Sequence, residues 1–89
     1  MHALLVKVRF NAARYDEAVR GLQEQVIPQT KRAPGFVKGT WFGDTEAGHA
    51  VVLFESEEHA QQMAGTVTSG PEDPVQVEDV RVFEVHGEA

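Results

Sequence analysis

A chain of 89 residues can bury one modest core and not two, and 42% hydrophobic with 25% charged residues is the balance of a globular domain. Eight Lys and Arg against fourteen Asp and Glu give a net charge of −6 with no basic stripe, which excludes nucleic acid as a partner. Cysteine is absent, so disulfides, thiolate metal sites and Cys nucleophiles are excluded together.

Residues 1–7 carry no basic leader, and their apolar run stops at Lys7, so the expected location is the cytoplasm, away from the membrane. From Ala3 to Phe10 the chain alternates: Leu4, Val6, Val8 and Phe10 lie on one side and Leu5, Lys7 and Arg9 on the other. This is the period of a strand. Asn11 is placed to cap a helix in which Tyr15, Ala18, Val19, Leu22 and Val26 recur at helical spacing to about Lys31. Pro28 lacks a backbone donor and is expected to loosen the last turn, and Pro34-Gly35 ends the helical region.

A second strand is expected over Phe36–Phe42, a polar hairpin loop over Gly43–Gly48, and a third strand over His49–Glu55. The third strand is apolar on both sides: Ala50, Val52 and Phe54 point one way, Val51 and Leu53 the other. Ser56 followed by Glu57 and Glu58 marks the N-terminus of a second helix with Ala60, Met63, Ala64 and Val67 as its apolar stripe. After the loop Ser69–Pro74, Val75–Val85 returns to strand composition, with Phe83 and Val85 opposite Val80 and Val82.

The order βαββαβ predicts an α+β domain spanning 1–89 with a ferredoxin-like plan: a four-stranded antiparallel sheet and two helices on one face. The chain's own helices cover one face only, yet the third and fourth strands are apolar on both. A second identical copy on the open face, related by a two-fold, is the expected partner.

The stretch Pro34-Gly35-Phe36, then a strand, a short turn, an apolar strand and Phe54-Glu55-Ser56-Glu57-Glu58, resembles the dimeric α/β-barrel superfamily, and within it the antibiotic-biosynthesis monooxygenase-like (ABM) proteins. The resemblance implies a homodimer and a pocket between sheet and helices. It also implies cofactor-independent, monooxygenase-like action on a small hydrophobic or aromatic molecule. Members that oxidise aromatic polyketides without metal or flavin carry an Asn and a Trp on the third strand, and those positions fall on Ala50 and Phe54 here. Haem-degrading members use an Asn, a Trp and a His; Asn11, Trp41 and His59 share those types without matching positions.

The candidate pocket residues are Tyr15, Trp41, His49 and Phe54. Trp41 is the single tryptophan, suited to stacking on a flat ligand or to burial at a dimer seam, and Gly39 and Gly43 on its side of the strand leave room beside the indole. His49 opens the third strand, where it would guard a pocket mouth, while His59 is expected on the surface. His2 and His86 would approach each other at the sheet end, but no carboxylate set accompanies them and no metal site is expected. Lys7 and Arg9 are expected either to pair with Glu55, Glu78 or Asp79 or to bind an anion. No Ser-His-Asp spacing, phosphate-binding glycine loop or paired-acid set is present, so catalytic residues are not assigned and no cofactor is expected. Two functions fit: the monooxygenase-like enzyme, and a non-catalytic small-ligand-binding or stress-associated dimer.

Overall fold

Alternation in the first strand decides where the core lies. The computed structural model describes all 89 residues and pairs β1 (His2–Phe10) with β3 (Ala47–Phe54) on one side and β4 (Val75–Glu84) on the other. β2 (Phe36–Gly43) pairs with β3 at the opposite edge, so the antiparallel sheet runs β2-β3-β1-β4. Leu4 and Val6 therefore meet Val52, Phe54 and Ala50 on one face, and Ala60 of helix α3 (Glu57–Ala64) closes over them as the buried core. This is the ferredoxin-like α+β architecture expected from the element order.

Two irregularities keep the edge strands in phase with that core. Lys7 faces Asp79 and Val8 faces Val77, so Glu78 is passed over, and this bulge turns Val75 and Val77 to the same face as Val80 and Val82. Phe36 faces Phe54 and Lys38 faces Leu53, so Val37 is passed over in the same way. Without these skips, half of each edge strand would present its apolar residues to the wrong face.

The single helix expected over 11–31 is a composite rod. Asn11 caps a 3-10 turn (Ala12–Arg14) by accepting from the Ala13 amide at 3.1 Å; α1 (Tyr15–Gly21), a π-helical turn (Leu22–Val26) and α2 (Ile27–Lys31) follow. Pro28 explains the π turn. Its ring cannot sit against the carbonyl four residues back, so the backbone widens and the Ile27 amide bonds to Leu22 O instead. α3 starts as expected, Ser56 accepting from the His59 amide at 3.2 Å, but it ends at Ala64, and Val67 packs on the core from beyond it.

The hairpin loop is shorter than the expected Gly43–Gly48. Asp44 accepts from the amides of Glu46 (2.8 Å) and Ala47 (2.9 Å), closing the turn at once and adding Ala47 and Gly48 to β3. β3 stops at Phe54 and β4 at Glu84, each one residue short of expectation, while β1 begins one earlier, at His2. No helix is long and apolar enough to cross a membrane.

Only nine of the 89 residues are buried, few for a domain that folds alone. The sheet's other face has no cover, and three rows of side chains cross all four strands there: Phe42-His49-Lys7-Asp79, Thr40-Val51-Leu5-Arg81 and Lys38-Leu53-Ala3-Phe83. Apolar residues fill the middle and two diagonal corners, where Phe42 and Phe83 are 54% and 46% exposed. Charges sit at the margin of this face, with Lys7 on the same side as Leu5 as the strand alternation predicts. Arg9 reaches Glu78 at 3.3 Å and Arg81 takes Asp79 at 2.9 Å, while Lys7 has no carboxylate partner.

Phe54 is fully buried at the centre of the core, so Phe54→Ala is expected to cost about 3–5 kcal/mol in urea unfolding. The two amides received by Asp44, first Ala47 and then Glu46, hold its carboxyl below its ordinary value of 3.8. A lowered folded-state value means stability that is full above the ordinary carboxylate range and lost as pH falls through and below 3.8. The melting-temperature gap between the native protein and Asp44→Ala is therefore expected at pH 7 and to shrink steadily below pH 3.8.

Candidate ligand-binding site

β2 turns an aromatic wall toward the helix layer. Phe36 stands edge-on to Phe54 with ring centroids 6.5 Å apart, and Trp41, opposite Ala50, lays its indole across Gly39. A Cβ on Gly39 would stand 2.7 Å from the indole and 3.6 Å from the Phe36 ring, so the glycine is what lets the two aromatics form one surface. The room left beside Trp41 is thus filled by Trp41 itself, and the indole faces the helices rather than the open face, which favours the pocket-wall alternative over the dimer seam.

Above this wall the composite rod covers the sheet loosely. Val19, Leu22, Val26 and Ile27 do not join the core cluster, and Val26 is 46% exposed. By contrast α3 packs directly on β1, β3 and β4. Of the rod, α2 is the part that touches β2.

The four candidate residues are distributed over both faces. Trp41 and Phe54 share the helix face, Phe54 as core and Trp41 half-buried beside it. His49 lies on the open face, its ring stacked on Phe42 at 5.3 Å. Tyr15 stands edge-on to Phe10, also at 5.3 Å, and lines a groove of about 300 Å³ with Arg14, Asp16, Glu17 and Thr45. In that groove the Arg14 guanidinium is held by the Glu17 carboxylate and Glu72 O, an exposed pair that raises the arginine and lowers the glutamate. Ala50 and Phe54 both lie in the core cluster, so the helix-facing side of β3 carries no polar side chain.

The structure corrects the surface placement of His59. Its ring is half-buried, bonded through Nδ1 to Ser56 Oγ at 2.8 Å and seated against Gly35, whose φ of +77° and missing side chain make the space. A Cβ on Gly35 would lie 2.4 Å from the imidazole. The sequence held the signal in Pro34-Gly35 and in the three-residue spacing of Ser56 and His59, each of which has a plain backbone meaning as well. His2 and His86 do not meet: His2 Nε2 is 3.4 Å from Glu57, His86 is exposed beyond β4, and no group of His and carboxylate side chains is placed to hold a metal ion.

No protein-family model matches the sequence, and no curated protein is similar to it. Solved structures are similar in fold. The heme-degrader MhuD (Rv3592) from Mycobacterium tuberculosis, solved with two hemes bound in its active site, superposes with a TM-score of 0.73 at 15% identity, over 100% of this chain and 99% of that one. The ActVA-Orf6 monooxygenase of Streptomyces coelicolor, in complex with Nanaomycin D, gives a TM-score of 0.62 at 16% identity over 99% and 89%. At these identities the likeness establishes the fold and leaves the chemistry to the residues.

Gly39→Ala tests the aromatic wall. The displaced indole is expected to shift Trp41 emission to the red and to reduce its near-ultraviolet dichroism, whereas Gly87→Ala, with open space around it, leaves both unchanged.

Proposed function

We propose that the chain works as a homodimer that binds a small hydrophobic or aromatic molecule at the helix face and acts on it as a cofactor-independent, monooxygenase-like enzyme. The carrying observation is the wall of Phe36 and Trp41 beneath a rod that buries Ala18 but keeps its larger apolar side chains, Val19, Leu22, Val26 and Ile27, out of the core, a site for a flat ligand to complete the packing. The fold shared with MhuD and with the ActVA-Orf6 monooxygenase supports the same reading. A non-catalytic binding dimer is the second reading, favoured by Ala50 and Phe54 standing where the resemblance places a catalytic Asn and Trp.

Charge on the open face supports the second copy. The three rows across four strands form a nearly square patch, about 14 by 13 Å from strand and residue spacings. Phe42 and Phe83 occupy one diagonal, Asp79 and Lys38 the other. A two-fold along the phenylalanine diagonal stacks each of these rings on its own copy and sets Asp79 against Lys38, with the sheets crossed near 90°. The other diagonal would put like charges together.

Light scattering is expected to give a dimer at micromolar concentration, Lys38→Asp to weaken it, and the exchange Lys38→Asp with Asp79→Lys to restore it. Failure of the exchange to restore the dimer overturns the crossed arrangement, and a folded native monomer overturns the dimer. For the ligand, quenching of Trp41 emission by anthrone or a hydroquinone together with dioxygen uptake supports the enzyme. Quenching without uptake supports the binding dimer, and the absence of both overturns the site.

A further inference from the structure

A second small hollow lies outside the aromatic wall, between the end of the rod and α3. It has a volume of about 160 Å³ and is bordered by Ala33, Pro34, His59, Gln62, Met63 and Thr66. Its body is carbon and sulfur: Ala33, the Pro34 ring and the Met63 thioether. The Thr66 hydroxyl is already committed, donating to Met63 O at 2.7 Å and lying 3.3 Å from the sulfur, so it steadies Met63 and offers little to a ligand.

The imidazole of His59 is the defined polar point. Ser56 Oγ engages Nδ1 at 2.8 Å, and Gly35 holds the same edge of the ring through its missing side chain. The opposite edge carries Nε2, which has no hydrogen bond to a protein atom and is not a buried polar atom, on a ring that borders the hollow. A ring clamped on one edge and open on the other presents one hydrogen-bonding nitrogen in a fixed direction, beside an apolar recess.

Size then selects the ligand. The hollow is open to solvent rather than enclosed, and its volume is close to the about 150 Å³ at which a closed apolar cavity accommodates benzene; sulfur beside an aromatic ring is a favourable contact. We propose that this groove is a second binding site, separate from the Trp41 wall, for a single aromatic ring bearing one hydroxyl, a phenol-sized molecule whose oxygen bonds to His59 Nε2 and whose ring rests on Met63 and Pro34. The ring fills the recess; the hydroxyl gives the preference over a plain hydrocarbon.

Phenol, anisole and toluene titrated into the native protein, followed by imidazole and methionine-methyl NMR signals, test this. Phenol is expected to shift the His59 ring and the Met63 methyl together and to bind about fivefold more tightly than toluene, the size of one net hydrogen bond. Anisole, which has no proton to donate, distinguishes the two directions of the bond: near-phenol affinity makes Nε2 the donor, near-toluene affinity makes it the acceptor. His59→Phe keeps the ring and removes Nε2, and is expected to abolish the preference while leaving toluene binding in place. Equal binding of phenol and toluene to the native protein, or phenol-induced shifts that spare His59, overturns the proposal. Trp41 emission stays unchanged by phenol if the two sites are separate, so failure here is distinct from failure of the aromatic wall.

Discussion

The packing of α3 onto the central strand pair is the interaction on which the rest depends. Leu4 and Val6 of β1, and Ala50, Val52 and Phe54 of β3, meet the fully buried Ala60 of α3, with Met63 and Ala64 packed beside it. Small residues at Ala50 and Ala60 let helix and sheet come close enough to exclude water from that layer. What lies farther from this contact is progressively less closed: the edge strands reach it through bulges, the turn that follows the rod through Ala33, and the opposite face not at all.

That gradient gives the molecule two unequal faces, to which the proposed function assigns two different uses. The open face is a patch with an apolar middle and charged corners, the composition of a surface that meets another protein surface. The helix face has its core under α3 and its loosest packing under the rod, where the π turn forced by Pro28 replaces a regular helical turn. A site assembled there is made of what the core does not use: the Phe36 and Trp41 faces, and the edge of the His59 ring.

Much of this was legible in the sequence, because strand alternation and helix caps are local. The faces of β1 and β3, the Asn11 and Ser56 caps and the effect of Pro28 follow from residues close together in the chain. The bulges at Val37 and Glu78 were not legible, since a skipped residue shows only against its paired strand, and Val77 and Val80 seem out of phase until the skip is known. Trp41 was recognisable as an aromatic of consequence, but its direction depends on the Val37 bulge. His59 was placed on the surface because a charged first turn is usually solvated. Its burial comes from Gly35, 24 positions away in sequence and against the ring in space. The emptiness of strand three is the converse case: Ala50 and Phe54 were plain in the sequence, and burial makes them core.

Under the proposed function the two faces divide the work, the open face for a second copy and the helix face for small molecules. Isotope-filtered NMR on a mixture of labelled and unlabelled protein tests it most directly, because it reports contacts between copies atom by atom. Contacts between copies are predicted from the methyl groups of Leu5, Val51 and Leu53 and the rings of Phe42 and Phe83, with none from Met63 or Ala60. Contacts arising from the helix layer, or none at all from the open face in a sample that tumbles as a dimer, would contradict the account.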